Sequence, residues 1–320
     1  MALSRRSFLA GSAALGLSSA FPSHASSFAF GGQAFGSTWR LTGGPNLEEA
    51  RLRPLIEAVI QRVDRQMSPW RTDSDISRFN ARPITDWQAL PRDVCRVVSA
   101  SIDVAQATGG AFDPTVGPAV ARFGFGRIEG GSGSFAAIDV REDAARKTQP
   151  DLTLDLCGIA KGHALDEIMQ ILRHEGVTSA LVELGGEVAA IGEHPAGRPW
   201  QVAVDRSGQR QLTAHRIVAP RHLALASSGH TPNGHRGRIA LSHLIDPHRQ
   251  RPAEQSLASV SVLGATAMQA DALATALTVL GPDHGIDHAQ ENSIAALFLE
   301  QTPSGFRETM TGSFADHVTA

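Results

Sequence analysis

Apolar residues recur at helical spacing in four stretches of the chain. Over residues 46–67, Leu52, Ile56, Val59, Ile60 and Val63 fall on one face, which predicts a helix capped by Asn46 with Glu49 at its third position. Pro54 lies inside it and predicts a kink or a later start. Pro91 opens a second stretch carrying Val94, Val97, Val98, Ile102 and Ala105, closed by Gly109 and Gly110. A third begins after Gly158 and carries Leu165, Ile168, Ile171 and Leu172, with Gly176 placed to end it. The fourth starts at Thr266, whose pairing with Gln269 reads as a capping box, and is predicted to stop at Gly281 and Pro282.

Between these stretches the pattern shortens to the period of strands. Residues 33–41 predict one strand, and Leu152, Leu154 and Leu156 alternate as another, running through Gly158 into the third helix. Beyond residue 180, short strands are predicted over 180–184, 187–191, 200–204, 222–226, 239–245 and 256–263. Residues 295–299 and 306–310 predict a closing hairpin, while 68–80 is polar and turn-rich. Strands and helices do not alternate regularly, so the fold class is α+β, with helices packed on mixed, largely antiparallel sheet. With no internal repeat and no low-complexity linker, residues 26–320 read as one domain.

Composition adds exclusions. A formal net charge of −3 over 320 residues, without a long basic block, leaves no electrostatic footprint for nucleic acid. The N-terminus changes the picture more. Arg5 and Arg6 precede a weakly apolar run to Phe21, and Ser23-His24-Ala25 offers a small-x-small cleavage site. Residues 1–25 therefore read as a twin-arginine signal peptide, which predicts a periplasmic protein. No cysteine follows the cleavage site, so no lipid anchor is expected, nor any stable membrane anchor. The two cysteines, Cys95 and Cys157, lack redox or zinc spacing; pairing in an oxidising compartment and two separate thiols both remain open.

Four segments carry candidate chemistry. In the segment 154–162 a strand turns at Gly158 into a helix that begins near Lys161 and Gly162. Helix amides beside an ammonium suit a phosphate, although an ordinary strand-to-helix junction has the same pattern. Asp166, four residues on, either pairs with a nearby cation or is solvated. Asp271 and Thr275 stand at i and i+4 on one helical face as hard-oxygen ligands for Mg²⁺; the competing arrangement has Thr275 bonded back to the carbonyl of residue 271. His243 ends a strand beside Asp246-Pro247, where it can deprotonate a nucleophile or serve the structure alone. Finally, Phe112, Phe123 and Phe125 sit among glycines and prolines, placed either to stack on a flat ring or to plug the core.

Each segment is weak alone, but their ordered set resembles the ApbE-like family of FAD:protein FMN transferases over nearly the whole mature chain. The matching blocks are FGSTW at 35–39, MSPWRTDSDISRFN at 67–80, TGGAFDPTVGP at 108–118, DLCGIAKGHALD at 155–166, ELGGE at 183–187, Ser228-Gly229, SHLIDP at 242–247 and ADALAT at 270–275. The resemblance implies an α+β fold with FAD in a deep cleft. It implies that Asp271, Thr275 and the backbone carbonyl of Ala160 hold Mg²⁺ against the FAD diphosphate, that Lys161 and Gly162 approach the pyrophosphate with Asp166 nearby, and that Trp70 covers the adenine. By the same carry-over Asn80 and Asp113 lie along the cleft, Glu183, Gly185, Gly186, Ser228 and Gly229 line the flavin side, and His243 is the catalytic base or organiser. The reaction implied is attack by a Thr or Ser hydroxyl of a client protein on the FMN phosphorus, with release of AMP. The expected client is a membrane electron-transfer subunit.

Several positions depart from the family pattern: Phe35 stands for a methionine, Trp70 for a tyrosine, Cys157 for a glycine and His163 for a tyrosine, while His248-Arg249-Gln250 replaces a basic-Thr-Gly ending. None removes a metal ligand. A Mg²⁺-dependent FAD pyrophosphatase on the same scaffold and a periplasmic flavin-binding protein are the competing functions.

Overall fold

A computed structural model describes residues 27–131, 133–205, 214–229 and 242–320. The twin-arginine segment and the first part of the strand expected over 239–245 lie outside these residues. The chain opens on β1 (Phe28–Ala34) and β2 (Ser37–Gly43), followed by α1 (Glu49–Met67), α2 (Asp75–Ala81), β3 (Gln88–Ala89), α3 (Arg92–Ala107) and α4 (Gly117–Arg122). Next come β4 (Ile138–Arg141), β5 (Ala144–Lys147), α5 (Ala160–His174), β6 (Ala180–Leu184), β7 (Glu187–Ile191), β8 (Val202–Asp205), β9 (Ala214–Val218) and β10 (Ala224–Gly229). The last third holds β11 (Ile245–Asp246), β12 (Arg251–Pro252), β13 (Leu257–Gly264), α6 (Ala267–Glu291), β14 (Ala295–Thr302) and β15 (Gly305–Thr311).

Eight strands form the main sheet in the order β1-β2-β6-β7-β10-β13-β14-β15, and every neighbouring pair is antiparallel. The expected α+β class with largely antiparallel sheet is what the fold shows. The central strands are buried on both faces. On β14, Ala296 and Phe298 join a core beneath α6, while Ala295 and Leu297 join a second core with Val204, Val218 and Phe314. This is the two-residue period of a strand serving two cores. Burying each such large apolar side chain contributes about 1.5–3 kcal/mol. A third core packs α1, α3 and α5 against the first strands through Leu52, Ile56, Val94, Val98, Leu165 and Ile168.

Several expectations change. The single strand predicted over 33–41 is a hairpin, because Phe35 and Gly36 both adopt positive φ and reverse the chain. The polar stretch 68–80 contains α2, whose N-terminus is capped by the Ser74 hydroxyl accepting from Ser77 N at 3.1 Å. Asn46 does not cap α1, which starts at Glu49 and runs through Pro54. The alternating leucines 152, 154 and 156 are fully buried, yet they are not a strand. Side chains replace their ladder: the Asn80 amide donates to Leu154 O and accepts from Leu154 N, both at 2.8 Å, and buried Lys147 donates to Leu152 O at 2.9 Å.

Candidate active site

Two helix beginnings meet at the floor of a cleft of about 980 Å³. Gly162 on α5 packs directly on the first turn of α6; a Cβ there would lie 2.3 Å from Ala267 O, so only glycine permits the approach. The Asp166 carboxylate accepts from Ala267 N at 2.8 Å and Met268 N at 2.9 Å, fixing α6 to α5 by capping its N-terminus. Thr266 caps the same end, accepting from Gln269 N as its sequence predicts.

This junction presents Asp271 and Lys161 to the cleft. Asp271 is 3 % exposed; its Oδ2 accepts from Gly162 N at 3.1 Å and its Oδ1 lies 3.4 Å from Lys161 Nζ. The Lys161 ammonium is closer still to Glu187 Oε1. Burial opposes the Lys161 charge, but Asp271 and Glu187 outweigh it and raise its pKa. Burial pushes the Glu187 carboxyl up, Lys161 pulls it down and Asp271 adds to the upward push. Thr275, one turn beyond Asp271, does not bond back along its helix; its hydroxyl meets Ser228 Oγ at 3.2 Å from β10.

The walls come from four further segments. Asp113 Oδ1 accepts from Thr115 N at 2.8 Å and from its hydroxyl at 2.7 Å, and Oδ2 from Phe135 N at 3.3 Å, which locks the 111–116 loop. Burial raises its pKa against those bonds. His243 lines the cleft with its ring 6.4 Å from that of Phe125, and its buried Nδ1 has no partner among the described residues. Burial lowers its pKa, and Lys161 adds to the effect, which favours the neutral imidazole. Trp70 stands at the rim, 54 % exposed, with the Arg127 guanidinium 5.5 Å from its ring.

The cleft thus brings together Trp70, Asp113, Ala160, Lys161, Gly185, Ser228, Gly229, His243, Asp271 and Thr275 of the residues singled out in the sequence. Phe123, beside Arg122, and five others stand outside its lining. Asn80 supports the wall from behind by holding Leu154, Gly162 and Asp166 build the helix junction, Gly186 completes the β6–β7 turn, and Glu183 lies exposed on β6 opposite Arg40. Sequence reasoning did not single out Glu187, Arg127 or Lys147. Glu187 had a local signal, an acidic residue directly after Gly185-Gly186 at the head of an otherwise apolar strand.

The floor is suited to a hard divalent cation. Asp271 supplies a buried carboxylate, Thr275 a hydroxyl not used by its own helix, and Ala160 lines the same cleft, a hard-oxygen donor set of the kind Mg²⁺ takes. Among the described residues no group of three His, Cys, Asp or Glu is clustered for a metal. A cation held by Asp271, Thr275 and the Ala160 carbonyl alone would keep water or substrate oxygens in its shell. The cysteines resolve as separate thiols: Cys95 is buried in α3, and Cys157 is exposed at the cleft.

Known proteins are similar to this chain in sequence and in fold. A FAD:protein FMN transferase of Vibrio cholerae serotype O1 is 31 % identical over 301 residues, spanning 88 % of this chain and 90 % of that protein. That of Haemophilus influenzae is 30 % identical, spanning 88 % and 89 %. Among solved structures, the flavin transferase ApbE from Vibrio cholerae superposes with a TM-score of 0.82 at 30 % identity, covering 92 % of this chain and all of that one. The apo flavinyl transferase ApbE of Pseudomonas stutzeri gives 0.80 at 32 % identity, covering 92 % and 97 %. The profile of the ApbE family matches residues 35–298, which hold every cleft residue named above, and the chain belongs to that family.

Proposed function

We propose that this protein is a Mg²⁺-dependent FAD:protein FMN transferase, exported by its twin-arginine leader, that modifies a Thr or Ser hydroxyl of a periplasm-facing client. The observation that carries the proposal is the presence, in one cleft, of a buried carboxylate–ammonium cluster at Asp271, Lys161 and Glu187 together with His243. The relatives' names supply the substrate class.

Lys161, at the first turn of α5, meets the donor diphosphate together with the helix amides, which favour anions. Asp271, Thr275 and the carbonyl of Ala160 would hold the Mg²⁺, which supplies charge neutralisation at the diphosphate. Trp70 and the Phe112–Phe125 side of the cleft offer stacking surfaces for the two ring systems of FAD. The client hydroxyl attacks the FMN phosphorus and the bond to the AMP oxygen breaks. His243 takes the hydroxyl proton, a task that needs the neutral imidazole that burial favours. Positioning and charge neutralisation supply most of the rate.

The test is to incubate the mature protein with FAD, Mg²⁺ and an acceptor domain, then weigh the acceptor by intact mass spectrometry. A gain of one FMN residue that needs Mg²⁺ is expected, and Asp271→Ala should slow it at least about 100-fold, the scale of losing several kcal/mol of charge stabilisation. Free FMN and AMP with an unmodified acceptor would make the protein a pyrophosphatase, and intact FAD throughout would make it a flavin-binding protein.

A further inference from the structure

Glu187 is the cleft residue that the proposed transfer leaves without a task. Its carboxylate is nearly fully buried on the floor, and it stands at the head of β7, after a turn in which Gly185 and Gly186 both have positive φ. A Cβ on Gly185 would stand 3.4 Å from Lys161 Cδ and 3.5 Å from Glu187 Oε2, ordinary contact distances, so this turn packs directly against the ion pair. Among the described residues, Glu187 Oε2 has no hydrogen-bond partner and Lys161 is the one cation paired with this carboxylate.

Lys161 has two carboxylates within reach and favours one. It sits tightly on Glu187 and loosely, at 3.4 Å, on Asp271 Oδ1. Asp271 Oδ2 is already engaged by Gly162 N, so Oδ1 is the oxygen with capacity to spare. An ammonium seated on Oδ1 and a divalent cation at the same oxygen exclude each other by like-charge repulsion. Resting on the assignment of the cation to Asp271, we propose that Glu187 is a positioning residue that holds the Lys161 ammonium off Asp271 and so keeps that carboxylate open to the metal. The same tether leaves the ammonium in the cleft, where it meets the donor diphosphate.

Removing the charge of Glu187 while keeping its shape frees Lys161 to settle on Asp271. Mn²⁺ uptake by the FAD-loaded protein, without acceptor, can be followed by electron paramagnetic resonance of the free ion. Glu187→Gln should weaken Mn²⁺ binding about tenfold, in the range of losing a supporting group around a metal ligand. Adding Lys161→Met to Glu187→Gln should recover most of that loss, because the competing cation is gone; a merely structural role for Glu187 predicts no such rescue. Parent-like Mn²⁺ affinity in Glu187→Gln, or a double variant no tighter than the single one, overturns the inference. If Asp271→Ala binds Mn²⁺ as the parent does, or the parent binds none, the cation assignment itself falls and takes this inference with it.

Discussion

His163 is 2 % exposed on the buried side of α5, with its Nδ1 3.5 Å from the Arg96 guanidinium and its Nε2 without a partner among the described residues. Burial, with Arg96 adding, lowers its pKa to about 4. In the unfolded chain it titrates near 6.5, so between those values the unfolded state binds the extra proton. Stability is therefore full above about pH 6.5 and falls as the pH drops toward 4, by up to about 3 kcal/mol for this group. Urea midpoints of the parent and of His163→Gln, measured from pH 7 to 4.5, should converge as the pH falls, because the variant lacks this one titration. The same scale explains why Thr275 misleads as a sequence. Spacing alone favours a hydroxyl bonded to its own helix, and Thr278 in the same helix does that, donating to Ala274 O at 2.7 Å. Only the arrival of Ser228 on a strand distant in sequence redirects Thr275 toward the cleft.

At the scale of elements, the α5–α6 junction is the part of the fold on which the floor depends. Asp166 satisfies two amides of α6 that would otherwise be left without partners. Asp166→Ala should cost about 1–2 kcal/mol, with Asp166→Asn costing less because one acceptor oxygen remains; thermal or urea unfolding reads both. The four long helices were legible because each carries one continuous apolar face, and the strands at 180–184 and 187–191 because their alternation is flanked by glycines. Misreadings arose where tertiary partners decide. Gly281, at φ 78°, breaks the backbone of α6 as predicted, but Pro282 starts a new run to Glu291 rather than a loop, since proline suits a first helical turn. Leucines 152, 154 and 156 carry a strand's burial pattern, but their backbone is paired by Asn80 and Lys147 from elsewhere in the chain. Strands β4, β5 and β9 escaped notice because they are short and carry Asp, Arg, His and Lys among few apolar residues.

At the scale of the whole molecule, the cleft draws on segments from Phe35 to Val279, so no local window displays it. What the sequence does carry is an ordered series of short blocks, and it points to the right walls because each block builds one of them. Asn80, Gly162 and Asp166 hold the wall and the helix junction in place, and a block does not say which of its members face inward. Pairings across the cleft, Lys161 with Glu187 and Trp70 with Arg127, depend on the long-range order of the eight-stranded sheet and its loops and leave no mark in spacing.

The two separate thiols make this protein its own reporter. Cys157 opens onto the cleft beside Gly158, whereas Cys95 is 2 % exposed inside α3. The enclosing fold, with Asp155 adding, pushes the Cys157 thiol well above its ordinary range. Alkylation should therefore be slow at neutral pH and quicken as the pH rises. A maleimide dye should label one thiol in the native protein and two after denaturation, as mass spectrometry can count. Saturating FAD should shield the native one, and labelling undiminished by FAD would mean that the donor does not occupy this end of the cleft. A fluorophore at that position would turn donor arrival into an optical signal, without engineering a single new cysteine.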